Sequence, residues 1–316
     1  MTALELPYQP IHASLYTRQE LFAGFDSSDP GSFARTPDFA IYRHAVGEGG
    51  YLPRNPYVGM MQALHDTSIT QATQAFIAGR RVAGIMGGHK LPRDSAAYRQ
   101  VALLARRLTR DGILVCTGGG PGGMEAAHLG AALANRPDAD LEAALQHLGA
   151  QPAVPALKHI VRPDGTPDLE LVRPAHAWFR PALEIAESIP DPGQSLAVPT
   201  WHYGHEPTTP LATHIAKYFQ NSIREDGLLA IAKAGVVFAQ GKAGTIQEIF
   251  QDATQNFYRT LGDFSPMVLL GTKYWTDDYP VVPVLQKLFS PDDFSRYVRV
   301  TDDIDQAADF LEGFGA

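Results

Sequence analysis

Two short stretches of this chain put glycine where a strand hands over to a helix: Thr117-Gly118-Gly119-Gly120-Pro121-Gly122-Gly123 and Gln240-Gly241-Lys242-Ala243-Gly244-Thr245. Glycine has no Cβ, so such turns can take positive φ. They then let an anionic oxygen approach the unpaired amides at a helix amino terminus, where the helix dipole favours negative charge. The chemistry this suits is binding of a phosphorylated small molecule. Gly118, Gly120 and Gly123 satisfy G-x-G-x-x-G directly after an apolar run and before a helical one, the context that gives this pattern meaning. A tight turn whose glycines serve packing alone is the competing reading. A dinucleotide site also needs an acidic residue at the end of the next strand, about 20 residues on. Asn135-Arg136-Pro137-Asp138-Ala139-Asp140 opens a helix there instead, which weakens a hydride-transfer reading. The second turn fails the P-loop spacing, because Ala243 follows Lys242 where Ser or Thr is required.

On its own terms the second turn sets Thr245 at a helix start and Glu248 in its first turn, on the sheet edge that carries the first cluster. A carboxylate there is either a dipole-stabilising group worth roughly 0.3–1 kcal/mol or a chemical participant. Other groups fall nearby. His202, His205 and Glu206 lie in a Gly/Pro loop, without the helical H-E-x-x-H spacing of zinc proteases, so substrate contact or loop packing is expected ahead of a metal. His89, Lys90 and Arg93 offer positive charge to a phosphate, or else form a solvated loop. Tyr98, Arg106 and Arg107 read as helix surface. The polar run Gln251–Asn256 lines either the site or a subunit interface.

The elements that would hold these groups alternate strand and helix. Apolar runs at 82–88, 113–117, 195–199, 235–239, 267–270 and 297–300 read as about six buried strands, with helices over about 94–111, 124–134, 210–232, 243–258, 280–289 and 303–313. That order predicts an α/β fold, a doubly wound parallel sheet with helices on both faces and a ligand at the carboxyl ends of its strands. Residues 1–80, with a helix over about 57–77, read as an amino-terminal extension packed on a nucleotide-binding domain of 81–316. The proline-rich stretch at about 135–193, with helices near 139–148 and 175–188, reads as an insertion.

Composition narrows the function class. A net charge of −8 argues against long nucleic acid, where Lys and Arg neutralise phosphates. No apolar run reaches the roughly 18 residues of a membrane span. The amino terminus lacks a secretory pattern, so a soluble, cytoplasmic protein is expected. The single cysteine, Cys116, lies in an apolar run and reads as a small buried hydrophobe.

With these residues in place, a GGGxxG(x)ME turn followed by a PGGxGTxxE-type turn resembles the LOG family. These are nucleoside 5′-monophosphate phosphoribohydrolases often labelled "possible lysine decarboxylase". The resemblance covers about 81–134 and 195–312, including the Tyr274-Trp275-Thr276-Asp277-Asp278-Tyr279 loop. It implies a Rossmann-like homodimer that hydrolyses the N-glycosidic bond of a nucleoside monophosphate without a metal or other cofactor. It further implies nucleotide contacts from Gly118, Gly119, Gly120 and Gly123 in one turn and from Gly241, Gly244 and Thr245 in the other, with Arg224 and Glu248 as catalytic residues; the Lys242 ammonium, outside the family pattern, would add a phosphate contact of its own. Gln240, Lys242 and Gln247 depart from the pattern, standing for proline, the second glycine and the first of two glutamates. Lysine at 242 would be strained by about 1 kcal/mol if that position needs positive φ. A non-catalytic nucleotide or cofactor carrier, similar to the molybdenum-cofactor carriers that share this fold, is the alternative. No lysine stands out as the Schiff-base site that decarboxylation would use.

Overall fold

The computed structural model describes residues 5–50, 52–201, 207–260, 262 and 264–314. Seven short strands, β1 (Val82–Met86), β2 (Leu114–Thr117), β3 (Ser195–Ala197), β4 (His214–Ile215), β5 (Gly235–Phe238), β6 (Met267–Leu270) and β7 (Val298–Thr301), form one sheet in the order β4-β3-β2-β1-β5-β6-β7. Every neighbouring pair is parallel. The chain builds outward from β1 to β4, then returns to β5 and builds the other way. The order therefore reverses between β1 and β5, which pair directly from Ala83–Gly235 to Met86–Phe238.

Alternate strand residues serve opposite faces. Val236 and Phe238 join one buried cluster, Val237 and Ala239 the other. On one face lie α4 (Ala96–Arg110), α5 (Gly123–Ala132) and α12 (Ile304–Glu312). On the other lie α8 (Asn221–Ile231), α9 (Ala243–Tyr258) and the amino-terminal segment, with α1 (Arg18–Leu21), α2 (Pro37–Gly47) and α3 (Pro56–Ile77). Tyr8, Tyr16, Phe22 and Phe39 of that segment share a cluster with Leu196 and Phe238 of the sheet. This is a Rossmann-like α/β fold.

The helix expected from Pro210 begins instead at Asn221, because the chain first lays down the two-residue strand β4. Two residues give no readable alternation, so the strand was hidden inside an apolar run. The stretch at 135–193 holds α6 (Asp138–Gly149) and α7 (Leu169–Ser188), longer at its start than the expected 175–188. Pro174 lies inside α7 rather than before it. The buried face of Val172, Ala175, Trp178, Phe179 and Ala182 outweighs the backbone donors lost at Pro174 and Pro181. Two further helices, α10 (Val282–Leu288) and α11 (Pro291–Tyr297), precede β7.

Tyr98 and Arg106 are buried, which corrects the surface reading of α4. Tyr98 donates its hydroxyl to Glu125 at 2.9 Å, and Arg106 pairs with Asp138 at 2.9 Å. Arg107 is about one-third exposed and bonds Asp111 at 2.6 Å. Cys116 is fully buried, and burial pushes its thiol up to about 12. Among the described residues no helix is long and apolar enough to cross a membrane.

Candidate functional site

A reversal of strand order leaves a crevice at the carboxyl ends of the two central strands, because the helices that follow them leave on opposite faces. Here the crevice is a cleft of about 660 Å³ at the ends of β1 and β5. Its floor is Met86-Gly87-Gly88 and Gln240-Gly241, and its walls carry Lys90, Met124, Arg224, Lys242, Glu248 and Tyr274. Gly88 joins the two glycine turns. Its N–H donates to Gln240 O at 2.9 Å, and its carbonyl accepts Gly123 N–H at 3.2 Å.

The second turn is open. Gly241 is buried under Thr245, whose Oγ1 would lie 2.1 Å from a Cβ at that position, so no side chain fits there. Lys242, Ala243 and Gly244 are exposed, and nothing lies within 4 Å of a Cβ built on Gly244. Lys242 sits at the N-cap of α9 with φ −115° and ψ −135°, an ordinary negative φ that lysine adopts without the strain expected for a positive one. Among the described residues no side chain caps α9, which leaves its first amides open to an external acceptor. Behind the turn, Tyr274 donates to Gly241 O at 2.6 Å and Trp275 Nε1 to Phe238 O at 3.0 Å. The Tyr274–Asp278 stretch thus buttresses the turn from below.

The first turn is closed. Gly118 is half-buried beside Arg224, whose Nη1 would be 3.5 Å from a Cβ on Gly118. Gly119, Gly120, Gly122 and Gly123 are buried behind Met124, which forms the cleft wall. Gly119 has φ +72°, and its Cβ would meet Ala197 Cβ at 2.9 Å. Gly122 has φ +70°, and its Cβ would fall 2.3 Å from Gly88 O. Close packing at the strand ends requires glycine at both positions, against side chains at Gly119 and against backbone at Gly122. A buried relay holds the turn in place: Gly119 N–H donates to Thr117 Oγ1 at 2.8 Å, Thr117 Oγ1 lies 2.8 Å from His128 Nε2, and His128 Nδ1 lies 2.8 Å from Ser195 Oγ. Burial drives the His128 pKa down to about 3, so the ring is neutral.

Across the cleft, Arg224 Nη1 stands 4.0 Å from Glu248 Oε1, with the two side chains 10% and 20% exposed. The pair is sheltered but reachable. Glu225 beside them is held by Asn221 Nδ2 at 2.7 Å and Gln247 Nε2 at 3.3 Å. One turn after Glu248, Asp252 is buried, and desolvation raises its carboxyl to about 8. The polar run 251–256 is thereby split. Asp252 and Asn256 face inward, and Asn256 fixes Ser265 ahead of β6 through bonds of 3.0 and 2.8 Å.

The structure brings Arg224, Glu248, Gly241, Lys242, Gly244 and Thr245 to one cleft and leaves Gly118, Gly119, Gly120 and Gly123 out of its lining, with Gly118 packed behind Met124 and Arg224. Lys90 and His89 line it. Arg93 does not supply charge to it. Its guanidinium is buried on Glu125 through bonds of 2.7 and 2.6 Å, donates to Trp178 O at 2.9 Å, and stacks 3.8 Å above the Trp178 ring. His202, His205 and Glu206 lie outside the described residues. Gly87, Gly88, Met124 and Tyr274 were not singled out as site residues by sequence reasoning. The glycine pair ending the first strand was the available signal, since each of the two turns packs against it.

No protein-family model and no curated protein matches this chain. Among solved structures it is similar to the molybdenum cofactor carrier protein MCP from Chlamydomonas reinhardtii, with 16% identity, 74% of this chain and 96% of that one covered, and a TM-score of 0.41. It is similar also to TM1055, with 20% identity, 73% and 98% coverage, and a TM-score of 0.41.

Proposed function

We propose that this protein hydrolyses the N-glycosidic bond of a nucleoside 5′-monophosphate, releasing free base and ribose 5-phosphate. The observation that carries the reading is the sheltered Arg224–Glu248 pair, 4.0 Å apart, beside the uncapped amino terminus of α9. An amino terminus with exposed Lys242, Ala243 and Gly244 is suited to the 5′-phosphate, with the Lys242 ammonium adding a charge-assisted contact. Cleavage at C1′ builds positive charge on the ribose, which the Glu248 carboxylate stabilises while it orients the attacking water. The water oxygen bonds to C1′ as the C1′–N bond breaks; the base leaves with its electron pair, and the proton the water gives up ends on the departing nitrogen. Arg224 hydrogen-bonds the departing base or clamps the phosphate. We read the active form as a homodimer, which light scattering in solution tests.

The deciding experiment incubates the protein with a panel of nucleoside monophosphates and follows base and ribose 5-phosphate by chromatography, beside Glu248→Ala. Product from the native protein, lost in the variant, is expected. No product from any substrate, or equal product from Glu248→Ala, sinks the hydrolase reading. Tight binding without turnover supports the carrier alternative.

A further inference from the structure

In α8, the helix that carries Arg224, the N-cap residue does not cap the helix with its own side chain. Gln220 occupies the N-cap with φ −94° and ψ 115° and makes no side-chain capping bond. The two residues that lead into the helix are held instead from α3. Asp66 Oδ1 accepts the N–H of Phe219 at 2.9 Å, and Asp66 Oδ2 accepts the N–H of Gln220 at 2.8 Å. The first of these bonds spans 153 residues of chain. Asp66 is 1% exposed, so it reaches α8 from inside the core.

Its own orientation is fixed in turn. His65 Nδ1 lies 3.1 Å from Asp66 Oδ1, and His65 Nε2 lies 2.8 Å from the Tyr16 hydroxyl. With Nδ1 donating to the carboxylate and Nε2 accepting from the tyrosine hydroxyl, both contacts are satisfied. His65 also packs edge-on against Phe219, with ring centroids 5.0 Å apart. Arg224 sits at the amino-terminal end of α8, where the helix dipole disfavours a cation, and a buried carboxylate at the same end offsets that.

We infer that Asp66 is a positioning residue: it holds the entry to α8 from the amino-terminal segment and so fixes where the Arg224 guanidinium stands relative to Glu248. The activity readout rests on the proposed hydrolysis; the structural readout does not. Asp66→Asn keeps the shape but turns an amide group towards one of the two backbone donors. In native-state hydrogen exchange this variant is expected to speed exchange over 219–226 by about tenfold or more and to leave 243–258 of α9 unchanged. Uniform acceleration of both helices, or none, overturns the inference.

Release of base from the same panel of nucleoside monophosphates is then measured for the native protein, Asp66→Asn, Arg224→Ala and the double variant. Asp66→Asn is expected to lower kcat about tenfold with Arg224 present and to cause no further loss without it. An equal loss in both backgrounds means general destabilisation and overturns the positioning role. If the native protein releases no base, the hydrolysis reading has failed and the exchange result alone decides on Asp66. Should Asp66→Asn not accumulate in folded form, His65→Gln, which loosens the carboxylate without removing it, goes through the same measurements. The same selective acceleration is expected, and its absence counts against the inference.

Discussion

The two glycine turns follow strands of one sheet and bond to the same residue, Gly88, and each packs glycine against its neighbours, yet the first is closed throughout while the second opens to solvent beyond Gly241. The Gly118–Gly123 turn is folded into the interior, where its missing Cβ atoms make room for Ala197, Pro199 and the backbone of Gly87 and Gly88. The Gln240–Thr245 turn faces outward, with three consecutive exposed residues and an uncapped helix behind them. A glycine-rich strand-to-helix turn is thus evidence of close backbone approach, and only burial tells whether protein or ligand does the approaching.

Gly→Ala changes test this contrast most sharply. Gly122→Ala must place a methyl 2.3 Å from Gly88 O at φ +70°. A left-handed alanine costs about 1–2 kcal/mol and overpacking adds about 1–3, so a loss of roughly 3 kcal/mol in urea unfolding is expected. A loss below about 1 kcal/mol would show that the first turn is not sealed. Next in size is Glu248→Ala, for which kcat should fall about a hundredfold or more with little change in melting temperature. An unchanged kcat would leave the second turn as a binding feature only.

Two buried titrating groups, one behind each turn, extend the comparison to pH. His128 has a folded pKa near 3, below the usual 6.5. The unfolded chain therefore takes up the proton first. Its contribution is whole above pH 6.5 and falls by up to about 1.4 kcal/mol per unit as pH drops towards 3. His128→Gln should flatten that acid limb. Asp252 has the reverse sign. Its pKa is raised from 3.8 to about 8, so its contribution is whole below pH 3.8 and is lost as pH rises through 8. Asp252→Asn should accordingly match the native protein at pH 4 and exceed it at pH 8, by on the order of 2 kcal/mol. Parallel stability curves for native and variant proteins would contradict either assignment. The smallest effect belongs to Gly244→Ala, in open space on α9, which should stabilise by about 0.5–1 kcal/mol.

Much of this was legible in the chain itself. Six of seven strands announce themselves as apolar runs ending in turn residues. Glu248 is legible from its place after the second turn, whereas Arg224, on a different helix, is named only by the resemblance to the LOG family. What escaped has physical reasons. Strand β4 has two residues and no period. Arg93 looked available because its partner, Glu125, lies 32 positions away. Asp66 was invisible for the same reason, since an acceptor supplied from another helix leaves no local mark beside Gln220. Lysine at 242 suggested strain only while its backbone angle was unknown.

Gly88 has a consequence for how the cleft adapts to what enters it. With its N–H bonded to one turn and its carbonyl to the other, the backbone floor is a single rigid girder, and neither turn can shift without breaking a bond to the end of β1. The freedom that remains in the cleft lies in its walls, in the single-bond rotations open to the side chains of Lys90, Met124 and Lys242.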